Sequence, residues 1–124
     1  MWIVTKIGFF SLTNHRDQPT NMMVRGRVRT DMERLVNLLP KSAMSSGIIE
    51  TDDSDYRYRV IADRDAVGEL VGRLAANMDY IGFKDTIAEV SGHTRADIYF
   101  NLWEDLHALA SYEGYILAEE TIPK

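Results

Sequence analysis

A chain of 124 residues with 45% hydrophobic and 27% charged side chains is long enough for one domain with a single core, and this composition excludes wholesale disorder. The absence of cysteine excludes a disulfide framework, a thiolate metal site and a cysteine nucleophile. Net charge is −5, which argues against general nucleic-acid binding, yet residues 1–50 hold 7 basic and 4 acidic side chains while residues 51–124 hold 7 and 15.

In chain order, Trp2 to Leu12 is rich in aromatic and β-branched residues and predicts a strand, with a bend or close backbone approach at Gly8. The polar run Thr13 to Asn21 is turn chemistry, so Met22 to Arg29 returns as a second strand. Thr30-Asp31-Met32-Glu33 matches a capping box, and Met32, Leu35, Val36 and Leu39 follow at helical spacing until Pro40. A short strand at Ile48 to Thr51 and a turn at Asp52 to Asp55 lead to a fourth strand, Tyr56 to Ala62.

Asp63 is placed to cap a second helix with an apolar stripe of Val67, Leu70, Val71, Leu74, Ala75 and Met78. Gly68 and Gly72 flank that stripe and predict close approach of the third long helix, or of a second protomer. A short helix over Phe83 to Val90 precedes that third helix, which Thr94 caps and which turns Ile98, Leu102, Leu106 and Leu109 inward. Ser111 to Lys124 reads as a tail that is strand, helix extension or docking arm. The expectation is therefore an α+β fold of order ββα-ββα-α: a mainly antiparallel four-stranded sheet with helices packed on one face. Residues 1–110 would form one domain, followed by the tail at 111–124.

Four arginines alternate with apolar residues in two of these strands. Side chains alternate faces along a strand, so Val24, Gly26, Val28, Tyr56, Tyr58 and Val60 are expected toward the core. Arg25, Arg27, Arg57 and Arg59 then line the open face. Guanidinium groups suit carboxylate and phosphate, and the competing reading is that they pair with Asp or Glu of the same chain.

Other motifs say less. Asp79, Tyr80, Phe83, Lys84 and Asp85 read first as a structural junction, with Lys84 bridging a carboxylate. His93 and Arg95 stand at a helix start, where free amides favour an anion. His15, His93 and His107 are far apart, and Glu104 with His107 lacks the companions of a carboxylate-bridged metal site, so no metal or cofactor is expected. Neither a nucleophile elbow nor a phosphate-binding glycine loop is present, so no catalytic residue is assigned.

Met1-Trp2-Ile3-Val4-Thr5 with Gly8-Phe9-Phe10-Ser11, then Asp55-Tyr56-Arg57-Tyr58-Arg59, then Asp79-Tyr80 with Phe83-Lys84, resemble a widespread family of small bacterial and bacteriophage proteins. Gly92-His93-Thr94-Arg95, Tyr99 and Trp103 extend the resemblance over about residues 1–110, although Gly82 stands where the family pattern has Asn. The resemblance implies a shape and a set of positions, not an activity.

The function expected is a small non-enzymatic interaction or regulatory domain, in a bacteriophage setting a modulator of a host protein. Its site residues are Arg25, Arg27, Arg57 and Arg59, joined by Lys84, His93 and Arg95, and its partner is an acidic protein surface. A homodimer is compatible with the charge asymmetry. The alternative is a binder of phosphate-bearing ligands, either a nucleotide or single-stranded nucleic acid, through the same face. The opening residues lack a basic leader, and no apolar run reaches the roughly 20 residues of a membrane span, so a soluble, cytoplasmic protein without membrane contact is expected.

Overall fold

Two residues, Lys6 and Ile7, turn the apolar opening of the chain back on itself. The computed structural model, which describes residues 1–120, accordingly has two strands where one was expected: β1 (Trp2–Thr5) and β2 (Gly8–Asn14). The Thr5 hydroxyl organises the turn, with its Oγ1 accepting from the Ile7 and Gly8 amides, each at 3.2 Å, and donating to the Gly8 carbonyl at 2.9 Å. Gly8 has φ +152°, and a Cβ there would lie 2.6 Å from Oδ2 of the buried Asp31. Only glycine fits that junction.

Three strands complete the sheet: β3 (Asn21–Gly26), β4 (Ile49–Glu50) and β5 (Tyr58–Asp63). The order is β1-β2-β3-β5-β4 with every pair antiparallel, so the sheet has five strands instead of four. Phe10, Leu12, Val24, Val60 and Ala62 face the core from alternate strand positions, as period-two patterning requires. Against them pack Met32, Leu35 and Leu39 from α1 (Arg29–Leu38) and its C-terminal end, and Val67 and Leu70 from α2 (Arg64–Ala76). The architecture is α+β, an antiparallel sheet with helices on one face.

The helix starts correct two capping expectations and bear out a third. α1 begins at Arg29, so Thr30 sits inside its first turn and cannot cap it; Val28 is the N-cap and makes no side-chain bond. Glu33 instead pairs with Arg29 one turn back, at 3.2 Å. The Asp31 carboxylate reaches across to accept the Phe9 amide at 3.2 Å, tying α1 to β2. In α2, Asp63 caps as the sequence predicts, accepting from the Ala66 amide at 3.0 Å. The apolar stripe of α2 is buried at Val67 and Leu70 and fades to exposed Ala75 and Met78. A Cβ at Gly68 or Gly72 would meet nothing within 4 Å, so no helix approaches them closely among the described residues.

The chain divides into two units, Met1–Asp79 and Tyr80–Lys124. The second holds α3 (Phe83–Ser91), α4 (His93–Leu106) and α5 (Ala108–Glu120). Gly92, at φ +92°, is the N-cap of α4, which starts at His93 and takes no cap from Thr94. Ile87 and Ala96 are buried where α3 and α4 pack. Ile98, Leu106 and Leu109 were expected inward and are exposed. At 100° per residue, Ile98 lies about 160° around the helix from Ala96, on the side away from α3. Ser111 to Glu120 are helical, as part of α5; the last four residues of the expected tail lie outside the described residues. No helix among the described residues is long and apolar enough to cross a membrane.

Candidate functional site

Strand register assembles the open face of the sheet. Antiparallel partners share a face, so the pairs Trp2↔Ser11, Ser11↔Arg25, Arg25↔Arg59 and Ile49↔Arg59 form one row across all five strands. Its two ends are apolar and open to solvent, with Trp2 63% and Ile49 38% exposed. Two arginines stand directly opposite each other at its centre. Like charges in that position repel.

Each of the central arginines is held by neutral groups. Arg25 donates to the Ser11 Oγ at 2.8 Å, and Arg59 to the Ser54 Oγ at 2.6 Å and the Tyr56 carbonyl at 3.3 Å. The Nε atoms of both are buried and have no hydrogen-bond partner among the described residues. Neither forms an ion pair among the described residues.

The outer arginines differ. Arg27 pairs with Asp55 at 2.9 Å, and Arg57 with Glu50 at 2.8 Å and Asp52 at 3.2 Å. The hydrogen bonds that Arg27 donates to the Asp55 carboxylate raise its pKa, and the charge of Tyr58, then Glu50 and Asp52, raises that of Arg57. Both therefore stay charged at any ordinary pH, so the question is access, not protonation.

The turn at Thr51 to Arg57 is responsible for this division. β5 begins only at Tyr58, so the alternation expected from Tyr56 onward starts two residues late. Tyr58 packs against the core as expected, whereas Tyr56 does not. The Tyr56 ring is buried on the arginine side, with the guanidinium carbons of Arg25 and Arg27 at 4.5 and 4.4 Å from its centroid. Arg27 also lies 5.5 Å from the Phe9 ring, and Trp2 meets Phe9 edge-on at 5.8 Å. The result is a continuous band of Trp2, Phe9, Arg27, Tyr56 and Arg25.

Lys84, His93 and Arg95 belong to the helical unit. Among the described residues Lys84 bridges no carboxylate; its Nζ sits 4.2 Å from the Phe100 centroid. Phe83 stacks on Tyr99 at 5.8 Å and meets Tyr80 at 5.9 Å, while Arg95 donates to the Tyr99 hydroxyl at 3.5 Å. His93 is exposed at the first position of α4. Among the described residues no three His, Asp or Glu side chains group to hold a metal ion.

Sequence reading brought the four sheet arginines together and missed Trp2, Phe9 and Ser11 as their neighbours. The signal was present: in Phe9-Phe10-Ser11-Leu12 only Phe10 and Leu12 can share the core face, which turns Phe9 and Ser11 outward. No family model, curated protein or solved structure matches the chain.

Proposed function

We propose that the chain is a non-enzymatic protein-interaction or regulatory domain that takes an acidic protein surface on the open face of its sheet. The observation that carries this reading is the central row. Arg25 and Arg59 oppose each other with no carboxylate partner among the described residues, flanked in register by exposed Trp2 and Ile49. Trp, Tyr and Arg dominate the energetics of protein interfaces because they combine large apolar area with directed polar contacts. An incoming carboxylate would relieve the arginine pair while Trp2 and Ile49 bury apolar surface around it. The chain resembles small bacterial and bacteriophage proteins, and in a bacteriophage setting the same surface would be that of a modulator acting on a host protein inside the cell.

A second reading has its own support. The same arginine pair would also accept phosphate, and exposed Trp2 offers a stacking surface for a base. Tyr56 adds nothing to such a platform, since its ring is already covered. Salt separates the two readings, because phosphate-backbone binding weakens steeply with salt. The experiment is fluorescence anisotropy of an Asp/Glu-rich peptide and of an oligothymidylate, titrated with wild type, Trp2→Ala and Arg59→Gln. The expected result is saturable peptide binding that both variants weaken. Tight oligothymidylate binding with a steep salt slope would transfer the site to the second reading; binding that ignores both substitutions would remove the sheet face altogether.

A further inference from the structure

The helical unit carries a second surface whose chemistry is opposite to that of the sheet. α4 and α5 are nearly one helix: the intervening His107 keeps helical angles (φ −57°, ψ −26°), its amide donates to the Glu104 carbonyl at 3.0 Å, and its carbonyl accepts from Ala110 at 3.1 Å. Trp103, Leu106, His107 and Ala110 fall at i, i+3, i+4 and i+7, which is one helical face. They line a shallow hollow of about 270 Å³ that lies wide open to solvent. Gly114 and Leu117 continue the same face at i+11 and i+14. Trp103, Leu106 and Leu117 are 56%, 52% and 58% exposed.

The Trp103 ring is held, not loose. It stacks on Phe100 at 5.5 Å and meets the His107 ring edge-on at 4.2 Å, so one wall of the hollow is set before anything binds. Ala110 and Gly114 leave the middle of the face low, and a helix backbone can approach closely there.

Charge selects the occupant. From Ala96 to Pro123 the sequence carries Asp97, Glu104, Asp105, Glu113, Glu119 and Glu120 and no Lys or Arg. By helical position, Glu104 borders the Trp103 face on one side and Glu113 on the other. A second copy would set these carboxylates against their own equivalents, which costs affinity. We infer that the Trp103–Leu106–Ala110–Leu117 face is a docking surface for a basic amphipathic helix. Its apolar stripe fills the hollow, and its flanking Lys or Arg residues meet Glu104 and Glu113.

The protein contains two tryptophans, so a Trp2→Phe background leaves Trp103 as the sole reporter. Into it is titrated a synthetic Leu/Lys amphipathic helix of about 18 residues, at about 0.15 M salt. The expected result is a saturable blue shift of Trp103 emission with one peptide per chain. Leu106→Ser should weaken binding by about tenfold or more, with unchanged helical circular dichroism; because Leu106 is half in water, the variant should still fold. A Leu/Glu peptide with the same apolar stripe should produce no shift.

Three outcomes would overturn the proposal. One is equal binding of the Leu/Glu peptide, and another is Leu/Lys binding untouched by Leu106→Ser. The third is a dimer by light scattering whose Trp103 emission is already blue-shifted without peptide. That last result would make a second copy the occupant.

Discussion

The two units of this chain spend their apolar residues in opposite ways. In Met1–Asp79, Phe10, Leu12, Val24, Met32, Leu35, Val60, Val67 and Leu70 are enclosed between the sheet and two helices. In the second unit Ile87 and Ala96 are buried, while Ile98, Trp103, Leu106, Leu109, Tyr112 and Leu117 stand in solvent. A sheet with helices on one face encloses a core by itself, because each strand contributes an inward row. Three short helices with one close pairing have fewer inward positions to offer. The lesson is that similar apolar periodicity serves stability in one unit and leaves surface for binding in the other.

The most enclosed leucine of the first unit should show the largest effect. Leu35 is 1% exposed within the core cluster. Leu35→Ala should cost about 2–5 kcal/mol, since lost burial and the remaining cavity add. Urea denaturation monitored by circular dichroism measures it directly; a cost below about 1 kcal/mol would mean that the core is not packed as described.

Next in size is the β1–β2 junction. Gly8→Ala must hold a Cβ at φ +152° while pushing Asp31 aside, and Asp31 holds the Phe9 amide. The strain and the disturbed hydrogen bond should together cost about 1–3 kcal/mol. Amide exchange offers a second readout, because protection at Phe9 should fall before protection at Val60 does.

The third prediction has the opposite sign. Gly68 and Gly72 sit in α2 with open space where a Cβ would stand. Replacing either by Ala should stabilise the protein by about 0.5–1 kcal/mol, through helix propensity alone. Loss of stability would reveal a neighbour pressed against that flank, as sequence reading had expected.

What could be read from the sequence follows from which interactions are local. Alternation in Val24-Arg25-Gly26-Arg27 and Tyr58-Arg59-Val60 depends on period two alone, so the sheet, its core rows and its arginine face were legible. The Asp63 cap, three residues from its donor, was legible for the same reason. The extra strand was not, because a two-residue turn inside an apolar run leaves little compositional trace; Thr5, which organises it, looks like any strand threonine. The placement of Tyr56 depended on where β5 begins, which tertiary pairing with β3 and β4 decides. Pairing of Arg27 with Asp55 and of Arg57 with Glu50 and Asp52 was an open alternative in the sequence, because the path of the turn at 51–57 decides it. Outward leucines on α4 and α5 were misread because periodicity reports an apolar face without saying what covers it.

The smallest expected effect is the most discriminating. Leu109→Ala is the same chemical change as Leu35→Ala, made at a side chain that is 57% exposed in α5. Little burial is lost there, and Ala is the better helix former, so stability should move by no more than about 0.5 kcal/mol in either direction. Two identical deletions should thus differ severalfold in their cost. If Leu109→Ala instead cost as much as Leu35→Ala, Leu109 would have to be covered in solution, by this chain or by another copy. Repeating the denaturation at several protein concentrations separates those cases, because only cover by another copy makes the midpoint depend on concentration.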